Sequence, residues 1–227
     1  VAVSARSDSD RGFDRTGIAF ETDALALAKR ADVDVVIELI GGEGGIALAL
    51  TEAALQAGKH VVTANKALIA HHGQRLAGLA EQAGVRLKFE AAVAGGIPAL
   101  KVLREGLAGN DISRVTGILN GTCNYILSQM EENGMPYSEA LLEAQKLGYA
   151  ESDPTADVSG QDAASKAAII AMVAFGADVS LDDVLFEGIQ NISSADVAFA
   201  SRAGCAIKLL AMISKHGHEL EAVSYTH

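Results

Sequence analysis

Asp162 and Lys166 lie four residues apart in "GQDAASKAAIIAMVAF" (160–175), a run of alanines and branched apolar residues that reads as a helix. At that spacing a carboxylate and an ammonium share one helical face, and on an exposed face the pair is worth on the order of a few tenths of a kcal/mol. This helix is mostly apolar, so the lysine is expected to be partly buried. Burial disfavours the ammonium while the neighbouring aspartate favours it, and a lysine held between those effects can lend and recover a proton. The preceding stretch, "AESDPTAD" (150–157), gathers Glu151, Asp153 and Asp157 around Pro154. The proline stiffens the chain, and a carboxylate on a rigid loop suits the binding of a substrate ammonium. A solvated loop closed by a surface salt bridge is the other reading, and residue types alone do not decide between them.

Further residues point the same way in smaller steps. "VVTANKALIA" (61–70) delivers Lys66 where a strand ends and a helix begins. A helix N-terminus favours anions, so a lysine there asks for a carboxylate or phosphate ligand; a plain exposed lysine is the alternative. "IGGEGGIA" (40–47) is a glycine turn between strand and helix, and Gly42, Gly44 and Ala47 satisfy G-x-G-x-x-A. The match is weak among 23 glycines, and the next strand ends Thr63-Ala64-Asn65-Lys66, without the acid that would hold ribose hydroxyls. It reads as a secondary glycine loop, with Gly41 and Gly42 as candidate cofactor contacts. If "VAVSA" is the second strand of a Rossmann unit, Arg6 stands where an NAD-specific site carries an acid. It can pair with a 2′-phosphate, which favours NADP; a surface arginine is the other reading. "EAAVAGGIP" (90–98) is a hinge or a set of bare carbonyls, and "GILNGTCNYIL" (117–127) offers Asn120 and Thr122 as caps or ligands. Cys123 has no histidine nearby to activate it. His71 and His72 fall in an amphipathic helix and His216 and His218 in a turn, without metal-site spacing.

The elements that must position these residues follow from periodicity. Strands are expected at "VAVSA", 33–39, 59–64 and 85–90, with helices at 23–30, 46–57 and 65–83 between them, the last two closed by Gly58 and Gly84. The runs at 33–39 and 59–64 are nearly continuous in apolar residues, the mark of strands buried on both faces. That alternation means βαβ units and a parallel sheet. Beyond residue 92 the texture changes: helices at 98–108, 121–133, 137–147 and 161–175, a strand at 112–119, and two antiparallel strands in the tail. The expected class is α/β, a partial Rossmann-type parallel sheet (1–91) followed by an α+β substrate and dimerisation domain (92–227).

Composition bounds the function. With 227 residues the chain can bury a sizeable core. A net charge of −11 argues against a nucleic-acid partner. Two cysteines form no disulfide framework. No run approaches the ~18 apolar residues of a membrane span, and no basic-then-apolar leader is present, so a cytoplasmic setting without a membrane partner is expected.

Taken together, "VVTANKALIA", "FEAAVAGGIP", "GILNGTCNYIL" and "ESDPTADVSGQDAASK" resemble, in order, the signature segments of homoserine dehydrogenase. The resemblance runs over nearly the whole chain and implies reduction of aspartate 4-semialdehyde to homoserine with NAD(P)H, on the path to threonine and methionine. It implies Lys166 as the proton-transferring lysine, Asp162 as its acidic companion, and Glu151 as ligand of the substrate's amino group. Lys66 is implied near cofactor and substrate, and Asn120, Gly121 and Thr122 near the substrate pocket. Glu90, Val93, Gly95 and Ile97 match a segment that ligates a monovalent cation, Na+ or K+, largely through carbonyls in some members. A homodimer or higher oligomer is implied, with the family's first strand and G-x-G-x-x-G loop expected ahead of residue 1. Two rivals are a related Rossmann oxidoreductase acting on another amino-acid aldehyde and a non-catalytic or cofactor-deficient fragment. Glu151 speaks against a substrate without an ammonium.

Overall fold

A computed structural model describes residues 1–9, 12, 14–217 and 219–226. The chain divides into two compact units, Val1–Ala99 and Leu100–His227.

The first unit runs β1 (Ala2–Ser4), β2 (Ala19–Glu21), α1 (Ala24–Lys29), β3 (Val35–Glu38), α2 (Gly45–Gln56), β4 (His60–Thr63), α3 (Lys66–Gln82) and β5 (Leu87–Lys88). Every pairing is parallel: β1 beside β2, and β3, β4 and β5 in that order. Helix starts follow their side chains. Asp23 accepts from the Leu25 amide to cap α1, and Asn65 accepts from the Leu68 amide to cap α3. Leu50, Ala54 and Leu55 of α2, Val61 of β4 and Leu68, Ile69 and Leu76 of α3 form the core. Lys59, almost fully buried, donates to the Arg30 and Val33 carbonyls and ties the start of β4 to the chain entering β3.

Two expectations need correction here. Strands β3 and β4 are buried on one face only: Val36, Glu38, Val61 and Thr63 point inward, while Val35, Ile37 and Val62 are exposed. Val35 and Ile37 line an apolar cavity of about 600 Å³ to which Val1–Ser4 also contribute. The parallel strands also form two sheets, not one, because β1 pairs with β2, a three-residue strand too short to be legible as a period.

The second unit comprises β6 (Arg114–Gly117), α5 (Gly121–Asn133), α6 (Tyr137–Lys146), α7 (Thr155–Val158), α8 (Gln161–Phe175), β7 (Leu185–Phe186), α9 (Ser194–Arg202), β8 (Leu209–His216) and β9 (Glu219–Thr226), after a short α4 (Ala99–Lys101). Its sheet has the order β6-β8-β9-β7; β8 is antiparallel to both neighbours, and β7 is parallel to β9. The antiparallel tail is as expected, and its turn contains Gly217; His218 lies outside the described residues. Helix α8 packs on β8 and β9 and is buried almost all round from Asp162 to Ala171. Its alanines let the helix sit close on the sheet. A second cluster joins Cys123, Ile126, Leu127 and Met130 of α5 to Ala140 and Ala144 of α6, Ala163, Ile189 and Leu209.

The helix expected at 98–108 is α-helical only at α4 and becomes π-helical over Val102–Gly106, where the Leu107 amide reaches back five residues to the Val102 carbonyl. Helices α7 and α9 were not expected. The α9 signal was present: in "SSAD" Ser193 and Asp196 form a reciprocal capping box.

Candidate active site

In the second unit the site is built on the start of α5 and the first two turns of α8. Asn120 caps α5, its Oδ1 accepting from the Cys123 amide at 2.7 Å. That fixes the amide group's orientation and aims Nδ2 at two carboxylates, Asp157 Oδ1 at 2.7 Å and Asp162 Oδ2 at 2.8 Å. Lys166 Nζ donates to the same Asp162 Oδ2 at 2.7 Å and to the Leu119 carbonyl at 2.8 Å. Two of the three ammonium donors are thereby directed by the protein, which leaves one position on Nζ for a further partner. The Asp162 side chain is 2% exposed and that of Lys166 17%, so the carboxylate is sealed in while the lysine side chain is only partly covered. The sequence expectation of a partly buried pair holds, and Asn120, Asp162 and Lys166 form one hydrogen-bonded group.

The other expected residues stand around this group in different ways. Gly121 is the first residue of α5, and Thr122 Oγ1 donates to the Tyr149 carbonyl at 2.6 Å. Glu151 is exposed, and its own carbonyl accepts from Gln145 Nε2 at 3.0 Å. Asp153 receives the Thr155 hydroxyl and amide, which holds its carboxyl below the usual carboxylate range; this is local loop structure. Cys123 is buried, and burial, with the Asp157 and Asp162 charges, pushes its thiol up to about 12. It is therefore no nucleophile. Asp157 was not singled out as a site residue by sequence reasoning; its only signal was membership of the acidic stretch.

In the first unit the glycine loop follows β3. Gly41 and Gly42 have φ of +84° and +85°, and a Cβ at either would meet nothing within 4 Å. Such a loop, open and bare at the carboxyl end of a parallel strand, fits the close approach of a dinucleotide. Beneath it lies a residue the sequence reading missed. Glu38, fully buried, accepts from the Ile40 amide at 2.6 Å, the Gly41 amide at 3.2 Å and the Thr63 hydroxyl at 2.5 Å. A lone acid closing the apolar run "VVIE" was the available signal. Asn65 Nδ2 donates to the Gly42 carbonyl at 2.8 Å, so the loop is held by its amides and its carbonyl together. Lys66 is the first residue of α3, directly after Asn65. Arg6 is exposed just past the end of β1.

Glu90 opens a 3-10 turn (Glu90–Ala92), Val93 is fully buried, and Ile97 is exposed. Between them Ala94 has φ of +51° and Gly96 +88°, so the segment is a tight double turn. The Glu90 carbonyl accepts from the Val93 amide and that of Ile97 from Ala99, so each has one lone pair already engaged. Among the described residues no group of three or more His, Cys, Asp or Glu side chains could hold a metal ion. No helix among them is long and apolar enough to cross a membrane.

A parallel α/β unit with an open glycine loop, followed by an α+β unit carrying a buried aspartate–lysine pair, defines the class: a dinucleotide-binding protein with a separate substrate-type domain. The family model "Homoserine dehydrogenase, NAD binding domain" matches residues 1–90, and the model "Homoserine dehydrogenase" matches 98–227. The chain belongs to the homoserine dehydrogenase family. The homoserine dehydrogenase of Corynebacterium glutamicum is 56% identical over 211 residues, covering 91% of this chain and 47% of the relative. A crystal structure of a homoserine dehydrogenase from Thiobacillus denitrificans matches with a TM-score of 0.88 and 43% identity, over 93% of this chain and 49% of that one. A hyperthermophilic archaeal homoserine dehydrogenase in complex with NADPH matches at 0.77 and 27% identity, over 92% of this chain and 60% of that one. The chain spans about half the length of the curated relatives it matches.

Proposed function

We propose that the protein interconverts L-homoserine and L-aspartate 4-semialdehyde with NADP(H), and that Lys166 moves the proton. The observation that carries this is the Lys166 Nζ, fixed by Asp162 and the Leu119 carbonyl on a side chain that is only partly buried. In the oxidative direction the hydroxyl proton of homoserine passes from oxygen to the Lys166 amine as hydride leaves the carbon that bears that oxygen. In the reductive direction the ammonium returns that proton to the oxygen. NADP, when bound, accepts or supplies the hydride; Gly41, Gly42, Lys66 and Arg6 are the residues of this chain that would hold it. Asp162 keeps Lys166 oriented, and Asn120 keeps Asp162 oriented. Gly121 and Thr122 shape the wall beside them.

Glu151 and the neighbouring carboxylates suit the α-ammonium of an amino-acid substrate. Glu90, Val93, Gly95 and Ile97 remain the candidate carbonyl segment for Na+ or K+. Homodimeric or higher assembly and a cytoplasmic setting belong to the same reading. Exposed Leu185 and Phe186 on the edge strand β7 offer apolar surface for assembly. The test is direct: the purified full-length protein, given homoserine and NADP, should produce NADPH. Absence of turnover with both NADP and NAD, in a folded protein, would refute the assignment.

Two substitutions test its parts. Glu151→Gln keeps the shape but removes the charge, so KM for homoserine should rise by about ten-fold or more while kcat falls less. A loss confined to kcat would move Glu151 into the chemical step. Arg6→Asp should lower the ratio of kcat/KM for NADP over NAD by roughly ten-fold or more, since a guanidinium that pairs with a 2′-phosphate is replaced by a repelling carboxylate. An unchanged ratio would remove Arg6 from cofactor selection.

A further inference from the structure

Among the described residues of the first unit Glu38 is the most deeply buried acid, and nothing in the proposed chemistry uses it. It sits at the carboxyl end of β3 with no exposed surface. A buried carboxylate without good donors is costly, and here the donors come from both sides. Oε1 takes the amides of Ile40 and Gly41, the entry to the glycine loop. Oε2 takes the hydroxyl of Thr63 at the end of β4. The Thr63 oxygen in turn accepts from the Asn65 amide at 2.9 Å. The Asn65 side chain completes the circuit, capping α3 through Oδ1 and holding the Gly42 carbonyl through Nδ2.

One carboxylate therefore couples two loops, 40–42 and 63–66, that leave adjacent parallel strands at the same edge. The register of the strands makes this possible: Glu38 and Thr63 are direct partners across the β3–β4 pair. Both glycines of the loop carry positive φ, so without the bond to Gly41 the loop has many conformations to sample. Lys66 follows directly on the Asn65 cap, so its backbone position depends on the same circuit.

We propose that Glu38 is a positioning residue for the nicotinamide cofactor. It acts through the Ile40 and Gly41 amides and through Thr63–Asn65, and fixes the glycine loop and Lys66 as a single preformed surface. The inference rests on the reading of those residues as cofactor contacts. It goes beyond that reading because Glu38 itself touches no ligand. A group acting this way has a defined signature. Binding of the cofactor should suffer far more than binding of homoserine. An amide at the same place should largely rescue, since Gln Oε1 can still accept from both backbone amides and Nε2 can donate to the Thr63 oxygen.

The experiment compares Glu38→Ala, Glu38→Gln and Thr63→Val with the native full-length protein. It measures NADPH dissociation constants by fluorescence, KM for homoserine, and hydrogen exchange of the Ile40 and Gly41 amides without cofactor. Glu38→Ala should weaken NADPH binding by about ten-fold or more and raise homoserine KM by a clearly smaller factor, because the glycine loop is misplaced while Asn120, Asp162 and Lys166 are untouched. Protection of the two amides should be lost in Glu38→Ala and kept in Glu38→Gln, whose NADPH affinity should stay within about three-fold of native. NADPH affinity unchanged in Glu38→Ala, or homoserine and NADPH affinities lost equally, would overturn the proposal. If Glu38→Ala does not fold, Thr63→Val decides: it retains volume and removes the hydroxyl that joins Glu38 to the Asn65 amide, leaving the Ile40 and Gly41 bonds to Glu38 in place. A NADPH dissociation constant raised about three-fold supports the proposal, and an unchanged one overturns it. Native protein that binds no NADPH would overturn the functional reading itself; native binding with undiminished binding by these variants overturns the role of Glu38 alone.

Discussion

Lys166→Ala is expected to lower homoserine turnover by roughly 10²–10⁴-fold, the usual worth of a positioned acid or base. The side chain reaches its place by two bonds, to Asp162 Oδ2 and the Leu119 carbonyl, and the first of these partners is itself held by Asn120. Removing the ammonium leaves a buried carboxylate short of one donor, and breaking a buried pair from one side is ordinarily destabilising by about 3–5 kcal/mol. Asn120 Nδ2 still donates to that oxygen, so the loss should fall at or below the low end and the variant should fold. NADPH affinity should change little, because the nucleotide contacts proposed above all belong to the first unit. Lys166→Arg separates proton transfer from charge. A guanidinium can replace the positive charge beside Asp162 but stays protonated and cannot take the hydroxyl proton. Single-turnover measurement at saturating substrate is the decisive reading. Near-native turnover by Lys166→Arg would leave Lys166 with a charge-holding role only.

The site was legible where its chemistry is local in sequence. The spacing of Asp162 and Lys166 put them on one helical face, and an alanine-rich helix implied burial; both are observed. Asn120 could be read as a cap because capping is a matter of residue type next to a helix start, whereas Asn65, taken as the first helical residue, is the cap of α3. What the sequence could not carry was contact across distance in the chain. Asn120 meets Asp157 and Asp162 from 37 and 42 residues away, and Glu38 meets Thr63 from 25. No period or motif encodes those pairings; they arise from strand register and from helix packing. Glu38 was hidden for a further reason. Its strand reads as an apolar run, and burial of an acid depends on donors that only the folded loop provides.

The same distinction explains the fold-level errors. Two-sided burial of β3 was inferred from residue type alone, whereas burial depends on what covers each face. The π-helical turn at Val102–Gly106, Val-Leu-Arg-Glu-Gly, differs from an α-helical turn in hydrogen bonding and has no signature in composition. The sheet order β6-β8-β9-β7 brings the last two strands of the second unit to the middle of its sheet. Such an order follows from how α8 must be covered, because a helix apolar on nearly every side needs a sheet on one face and other elements on the rest.

Gly188→Ala is expected to cost about 3 kcal/mol or more of stability and to lower the melting temperature by on the order of 10 °C. The cause is space. A Cβ built on Gly188 would lie 2.0 Å from the Val158 carbonyl oxygen and 2.6 Å from the Ser159 Cα. Those are backbone atoms, so no side-chain rotation can relieve the overlap. The approach is reciprocal, since a Cβ on Gly160 would lie 2.9 Å from the Glu187 carbonyl oxygen. Two chain segments are pressed backbone to backbone here, and the Ile189 amide donates to the Val158 carbonyl at 2.9 Å across the contact. An alanine must push the segments apart, which stretches that bond and withdraws Val158 and Ile189, both buried, from the cluster that backs α5. The pressed segment also connects Asp157 to Asp162, the two acids that Asn120 holds. Homoserine turnover should therefore fall along with stability, even at temperatures where the variant remains folded. Gly148→Ala is the control: it has φ of +79° but nothing within 4 Å of its Cβ, so only the cost of the left-handed backbone, about 1–2 kcal/mol, should register. Thermal unfolding by circular dichroism distinguishes the two. A Gly188→Ala melting temperature equal to that of Gly148→Ala would mean that the close approach yields without resistance, and that the acidic loop is not held from behind.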